Sequence, residues 1–380
     1  MVTELIEFIR EQYSSSEFIP LHQPYFSQRE KDYVIKTIES TFVSSVGQYV
    51  DLFEQNIESY SGCAKAVATV NGTSALLCAL YAAGIERNDV VITQALTFVA
   101  TCNAIVQLGA APAFVDVSAN TLGLSPDALQ EFLIENAYLD GEHKCRLKKT
   151  KQVVRAVVPM HTFGHPVEID RISQICRSWN IALVEDAAES LGSFYKGKHT
   201  GTFGDYGAVS FNGNKIITTG GGGAILCQSK DTGKRIKHLT TTAKVQHQYE
   251  YYHDEIGFNF RLPNINAALG CAQMEKIEMI LLNKRELANE YRQFFSKSEY
   301  KFVNEPLNCR SNYWLNAIIC PDESSKKYLL ETTNQHNVMT RPIWTLMNEL
   351  PMFSSCMCGR LSVSQWLAKH VVNLPSSVRM

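Results

Sequence analysis

The sequence predicts a layered α/β protein, because short strand patterns alternate with helical ones from Val67 to about Cys227, after which a long helix leads into a second, smaller α/β unit. Seven short apolar runs predict strands at 66–70, 90–93, 112–117, 153–159, 181–185, 207–211 and 223–227. Ahead of them, Met1 to Arg10 alternates acids with apolar residues in the manner of an amphipathic helix. Asn71 to Ser74 reads as a tight turn, and Ala75 to Ala83 as a helix closed by Gly84. Asn136 to Lys151 is charged and contains glycine, which predicts a surface loop. From Asn264 to about Ser296, apolar residues recur at helical spacing and predict one long bridging helix. The clearest strand beyond it is 313–319. The expected division is 1–263 for an N-terminal arm and a large domain, and 264–380 for the bridging helix and a small C-terminal domain.

The chain has 380 residues, enough for two or three domains and a sizeable core. Its 36 basic and 38 acidic side chains leave a formal net charge of -2, which argues against general nucleic-acid binding. The N-terminus lacks a basic start followed by a cleavable apolar core, and no run reaches about 18 consecutive apolar residues, so neither an export signal nor a spanning helix is expected. The 11 cysteines are scattered, and Cys78, Cys102, Cys227 and Cys271 sit inside apolar runs, as reduced thiols do. Only Cys356 and Cys358 are close together, without a second Cys or His pair at finger-like spacing, so no metal is predicted. The expected compartment is the cytoplasm.

Three segments carry chemistry. Lys215 lies just past the strand pattern Gly207–Phe211 and just before the glycines 220–223. A partly desolvated lysine between a strand end and a tight turn is placed to form a Schiff base with an aldehyde cofactor; the alternative is a solvated surface lysine. About thirty positions earlier, the buried-type strand from Ile181 runs into Asp186 and small residues. Pyridoxal phosphate needs a carboxylate facing its ring nitrogen, because the protonated ring is an electron sink. Asp186 fits that need, although an Asp after a strand is also a common helix cap. The third segment is the strand-turn-helix at 66–83, where free amides, the helix dipole and two hydroxyls would meet a phosphate at Gly72, Thr73 and Ser74. Each segment alone has an ordinary structural reading. Together, a phosphate site, a ring-nitrogen acid and a lysine at three strand ends form a combination that chance rarely supplies.

These segments resemble the DegT/StrS nucleotide-sugar aminotransferases, pyridoxal-phosphate enzymes of the aspartate-aminotransferase fold. The resemblance runs from about residue 20 to residue 275. It rests on Asn-Gly-Thr-Ser-Ala-Leu at 71–76, Thr-Phe-Val-Ala-Thr at 97–101, Glu-Asp-Ala-Ala-Glu-Ser at 185–190, the Lys215 segment and Gly-Phe-Asn-Phe-Arg-Leu-Pro at 257–263. Phe-Val-Ser-Ser-Val-Gly at 42–47, His-Thr-Phe-Gly-His-Pro at 161–166 and Thr-Thr-Thr-Ala-Lys at 240–244 look most like the subgroup of legionaminic-acid and related acetamido-sugar pathways. It implies a large domain with a mostly parallel seven-stranded sheet plus a smaller C-terminal α/β domain.

The resemblance also implies roles. Lys215 would hold the cofactor and carry a proton between cofactor and sugar, Asp186 would pair with the ring nitrogen, and Thr73 and Ser210 would bind phosphate. Phe98 would stack on the ring, unless it is a core aromatic. Glu189 stands where relatives commonly contact the ring hydroxyl with Gln or His. Asn259 is similar to a residue that reaches the cofactor phosphate of a neighbouring subunit, which would place the active site at a homodimer interface; its alternative is a turn residue. His161, Arg261, Tyr313, Arg341 and Trp344 are substrate-side candidates, and His161 and His165 could equally be satisfied loop residues.

The implied reaction transfers an amino group, with glutamate as donor, to a nucleotide-linked 4-keto-6-deoxy sugar, expected to be N-acetylated, in surface-polysaccharide or nonulosonic-acid biosynthesis. Two departures stand out. Gly221 occupies a position that is acidic in many relatives, which would reshape the acceptor pocket. The sequence also stops at Met380, where relatives commonly carry a further short helical segment; the expectation is either a weaker small domain or a chain that continues beyond Met380. Two other readings remain at this stage: a sugar dehydratase of the same fold, against which Lys215 counts, and a catalytically silent binding or regulatory protein that keeps the pocket.

Overall fold

In the computed structural model, which describes residues 1–379, all seven apolar runs are strands of one sheet. In chain order they are β1 (Lys65–Thr69), β2 (Val90–Gln94), β3 (Ala111–Val115), β4 (Val154–Val158), β5 (Ala182–Asp186), β6 (Tyr206–Ser210) and β7 (Gly223–Cys227). Their spatial order is β1-β7-β6-β5-β4-β2-β3, and only the two pairings made by β7 are antiparallel. The strands are apolar along their length because both faces are covered. Leu80, Val91, Val158 and Ile225 belong to a core on one side, and Ile92, Phe132, Val157 and Ile172 to a core on the other. Each such fully buried side chain contributes about 1.5–3 kcal/mol.

This topology brings the carboxyl ends of β1, β5 and β6 to one edge. Ala208 of β6 pairs with Asp186 of β5, and Ser210 and Thr69 both pair with Gly223 of β7. The following helix, Gly72–Ala82, begins earlier than the sequence predicts. Asn71, rather than the residues after it, is the cap: its Oδ1 accepts the Ser74 N–H at 2.7 Å, so the expected tight turn is the helix's own first turn. Gly84 ends it at φ +82°, a left-handed conformation that glycine adopts without strain.

Two expectations are corrected. The segment 136–151 is a small hairpin, Ala137–Leu139 against Cys145–Leu147, rather than an irregular loop. Asp140 closes its turn by accepting the Glu142 and Lys144 amides, and Ala137, Cys145 and Leu147 turn inward. The single helix expected over 264–296 is two helices, Asn264–Met274 and Ile277–Phe294. At the break, Glu275 takes Arg29 and Tyr33, while Lys276 pairs with Glu30 at 2.6 Å. Both residues therefore turn toward the helix Gln28–Glu39, and Lys276 leaves helical geometry at ψ 3°.

A second, antiparallel sheet comprises Lys301–Phe302, Asn316–Ile319, Val371–Leu374 and Arg341–Pro342 in that spatial order. The N-terminal helix Val2–Tyr13 packs here, where Leu5 and Ile9 share a core with Leu287, Tyr291 and Val372. The stretch 20–23 continues this attachment. Ser376 donates its amide to Leu21 O, and Gln23 donates to Ser377 Oγ.

Candidate active site

A cavity of about 950 Å³ opens at the edge where β1, β5 and β6 end, and Lys215, Asp186, Gly72, Thr73, Ser210 and Phe98 all line it. Phe211, fully buried edge-on against Phe53, pins the chain as it leaves β6. The Lys215 amide then closes a turn onto Asn212 O at 3.0 Å, directing its side chain inward. Only 13% of that side chain is exposed. Its Nζ lies 3.5 Å from Glu189 Oε1 and 3.9 Å from the centre of the Trp314 ring. The ring faces the ammonium and is held by its own Nε1–H, which donates to Asn214 O at 2.6 Å.

Asp186 is the last residue of β5 and is buried. Its Oδ2 accepts the Thr101 hydroxyl at 2.6 Å, and its Oδ1 accepts the Ala188 amide at 3.1 Å. Hydrogen bonds to both oxygens hold the carboxylate in one orientation toward the cavity wall.

The anion cradle is built by close approach. A Cβ on Gly72 would stand 2.7 Å from Ser210 Cβ, so only glycine lets the helix start lie against the end of β6. The Gly72 and Thr73 amides take no acceptor within the protein, whereas Ser74 N and Ala75 N are bound by Asn71. Two open amides at a helix N-terminus and the Ser210 hydroxyl thus converge on one wall.

Glu189 is buried, and its Oε2 accepts the Phe163 amide at 2.9 Å. Burial pushes its pKa up to about 7, against the pull of the Lys215 ammonium. Phe98 is 48% exposed, with its ring 6.2 Å from that of Trp344, which itself packs on Phe163. An aromatic left half in the open at a cavity is a platform rather than a core residue.

Among the sequence candidates, Arg341 and Trp344 also line the cavity, and six other residues do not. His161 is fully buried behind β5; its Nε2 meets Glu185 Oε2 at 3.0 Å, and its Nδ1 accepts the Val167 amide. Although burial opposes ionisation of Glu185, His161 and the Gly201 and Gly204 amides hold its pKa below the usual carboxylate range. His161 is therefore a support beneath Asp186, to whose carbonyl it donates its own amide at 3.2 Å, and not a substrate contact. Tyr313 is also corrected. It is buried, and its hydroxyl accepts the Glu305 amide at 3.0 Å. Its φ of +46° breaks strand alternation there, and the next residue, Trp314, faces the cavity instead. Ser74 stands outside the lining, its amide taken by Asn71. Arg261 and Asn259 lie outside this cavity as well, exposed and bonded to one another through Arg261 Nε and Asn259 Oδ1 at 3.1 Å. His165 is buried edge-on to Tyr313, its pKa drawn down to about 4 by burial.

Sequence reasoning missed Thr101, Trp314 and His22. Thr101 stands inside the Thr-Phe-Val-Ala-Thr segment, two positions into the helix Val99–Gln107, a spacing that points it back at the strand ends. Trp314 neighbours Tyr313, and a backbone conformation that sequence does not announce decides which of the two faces the cavity. His22 lines the cavity from the N-terminal stretch and carries no local signal.

Three comparisons with known proteins bear on this arrangement. Residues 24–380 match the model of the DegT/DnrJ/EryC1/StrS aminotransferase family. The chain is 33% identical over 360 residues to a GDP-perosamine synthase of Escherichia coli O157:H7, a match that covers 95% of this chain and 93% of the relative. It is 32% identical over 367 residues to EpsN of Bacillus subtilis (strain 168), provisionally named a pyridoxal phosphate-dependent aminotransferase, covering 95% of this chain and 92% of the relative. Among solved structures, the fold is shared with PseC of Helicobacter pylori, an aminotransferase involved in pseudoaminic acid biosynthesis, at a TM-score of 0.85 and 23% identity over 94% of each chain.

Proposed function

Because the chain belongs to the DegT/DnrJ/EryC1/StrS aminotransferase family, enzymes that work on sugars with pyridoxal phosphate, we propose that it moves an amino group from glutamate to a nucleotide-linked 4-keto-6-deoxy sugar. The observation that carries this reading is the convergence of Lys215, Asp186 and the cradle at 72, 73 and 210 on one cavity. These residues fit the cofactor. The open Gly72 and Thr73 amides and the Ser210 hydroxyl suit its phosphate, and the Gly72 position admits no side chain. Asp186 suits its ring nitrogen, Phe98 its ring face and Lys215 its aldehyde. Bound there, pyridoxal phosphate supplies a ring that accepts the electron pair released at a substrate carbon.

The chain's own residues do the rest. Thr101 and the Ala188 amide keep the Asp186 carboxylate aimed. Lys215 Nζ would hold the cofactor aldehyde and, as a free amine, would carry a proton between neighbouring carbons, with Glu189 Oε1 at 3.5 Å as the carboxyl group beside it. Trp314 and Trp344 wall the space and exclude water. Glutamate leaves as its 2-oxo acid, and the keto carbon of the sugar takes the nitrogen.

The cavity volume is at the upper end of what small-molecule sites use, which suits a cofactor together with a sugar. Arg341 lines it without a carboxylate partner among the described residues and is the candidate for the sugar's diphosphate. The similarity to GDP-perosamine synthases supports a nucleotide-linked 4-keto sugar, and the segments shared with the acetamido-sugar subgroup support an N-acetylated one made for surface polysaccharide or nonulosonic acid. Asn259 and Arg261, exposed outside their own cavity, are proposed to complete the site of a second copy in a homodimer. No helix among the described residues is long and apolar enough to cross a membrane, and a cytoplasmic setting is part of the proposal.

The test is a panel of GDP-, UDP- and dTDP-linked 4-keto-6-deoxy sugars, with and without an N-acetyl group, incubated with cofactor and glutamate. An amino sugar formed from one member supports the reading. No amine from any member, with free cofactor still consumed by glutamate, would move the acceptor to another class of ketone.

A further inference from the structure

Lys284 is the largest charged side chain fully removed from solvent, and it has no carboxylate partner among the described residues. It sits on the helix Ile277–Phe294, and its Nζ meets three acceptors: Trp314 O at 3.1 Å, Ser376 O, and His22 Nε2 at 2.9 Å. Those acceptors come from three segments distant in sequence. Two of them, His22 and Trp314, line the cavity that holds Lys215, and the Trp314 ring is the face on which the Lys215 ammonium rests. The same segments are joined again nearby, where Ser376 Oγ accepts the Asn316 amide and Ser376 N donates to Leu21 O.

We propose that Lys284 is a positioning residue for Lys215: its ammonium ties His22, Trp314 and Ser376 together, holds the Trp314 ring against Lys215 Nζ, and fixes His22 as the neutral tautomer with its proton on Nδ1. The inference rests on the assignment of Lys215 as the reacting amine. An ammonium has three N–H groups and no lone pair, so three acceptors match it, and each must offer a lone pair. Two are carbonyls. The third, His22 Nε2, then carries no hydrogen, which leaves the proton on Nδ1. Burial draws the Lys284 pKa down to about 7, so the ammonium form that matches three acceptors is the one present below neutral pH. Burial, together with the Lys284 and Lys215 charges, keeps His22 from becoming an imidazolium. His22 Nδ1 is buried and has no partner among the described residues, so its N–H is the donor that a water or a substrate oxygen would complete.

The first experiment needs no variant and no cofactor: nitrogen-15 NMR of the histidine-labelled full chain on the acid side of the Lys284 pKa of about 7, where the ammonium is formed. The proposal expects His22 with hydrogen on Nδ1 and a bare Nε2. Hydrogen on Nε2, or an imidazolium, would overturn it, because Lys284 could not then donate to that nitrogen. The second compares the rate at which the apo protein captures pyridoxal phosphate covalently, fixed by borohydride, in wild type, Lys284→Met and His22→Phe. Loss of the tie predicts at least a tenfold slower capture in Lys284→Met and a smaller slowing in His22→Phe, which keeps both carbonyl bonds. Capture by folded Lys284→Met within twofold of wild type would overturn the positioning role, and if that variant does not fold, the NMR result still decides. Lys215→Ala run alongside reads the parent assignment separately: capture that survives there refutes the Lys215 role without touching the His22 tautomer.

Discussion

Glu189 and Lys215 face one another at 3.5 Å, each with its side chain at least 87% out of solvent, yet they do not form a fully charged pair. Burial holds the Glu189 pKa up near 7 despite the ammonium beside it. Between the unfolded value of 4.5 and about 7, the folded protein keeps a proton that the unfolded chain has lost. Stability of the apo protein therefore falls as pH rises through that window, by up to about 3 kcal/mol. Glu189→Gln removes this loss. Urea unfolding at mildly acid and mildly alkaline pH should show a clear decline for wild type and a flatter profile for the variant, and equal slopes would show that Glu189 is charged throughout.

The Thr101 hydroxyl is one of two donors that hold the Asp186 carboxylate. A hydrogen bond to a charged group is worth about 1.5–3 kcal/mol, or roughly ten- to a hundredfold in an equilibrium or rate. Thr101→Val keeps the shape of the side chain, so turnover and cofactor affinity should drop by about that factor while the fold survives, as read by steady-state kinetics and cofactor titration. Unchanged values would mean that Asp186 does not need this partner.

Gly72→Ala places a methyl group 2.7 Å from Ser210 Cβ, so the helix start or the end of β6 must shift. The expected cost is about 1–3 kcal/mol of stability together with a weakened hold on phosphate. Competition by inorganic phosphate against cofactor binding measures the second effect. A variant with wild-type phosphate affinity would place the cradle elsewhere.

His161→Phe tests the correction made for that residue. Removing a hydrogen bond to a buried carboxylate costs about 1.5–3 kcal/mol, and the Glu185 carboxylate would keep only its backbone amides. Thermal denaturation should register the loss. The KM for the sugar acceptor should stay close to wild type in the protein that remains folded, whereas a large rise in KM would return His161 to the cavity.

Much of the large sheet was legible because strands covered on both faces leave dense apolar runs, and all seven runs are strands within a residue or two. The chemical residues nearest the strand ends were legible for the same reason: Lys215, Asp186 and Gly72 each follow such a run. Interruptions decided by distant side chains were not. The helix break at Glu275 and Lys276 depends on Arg29 and Glu30, far away in sequence. The second wall of the cavity was the least readable. Trp314 points inward because Tyr313 adopts a positive φ, and His22 arrives on a stretch anchored by Ser376 and Lys284. Those are long-range contacts between short segments with no periodic signature of their own.

The most direct test of the active-site assignment is to load the purified protein with pyridoxal phosphate, reduce it with borohydride, and map the modified peptide by mass spectrometry. The predicted result is a single pyridoxyl mark on Lys215 that disappears when glutamate is added before reduction. A mark on another lysine, or none, would contradict the reading of this cavity as the site of amino transfer.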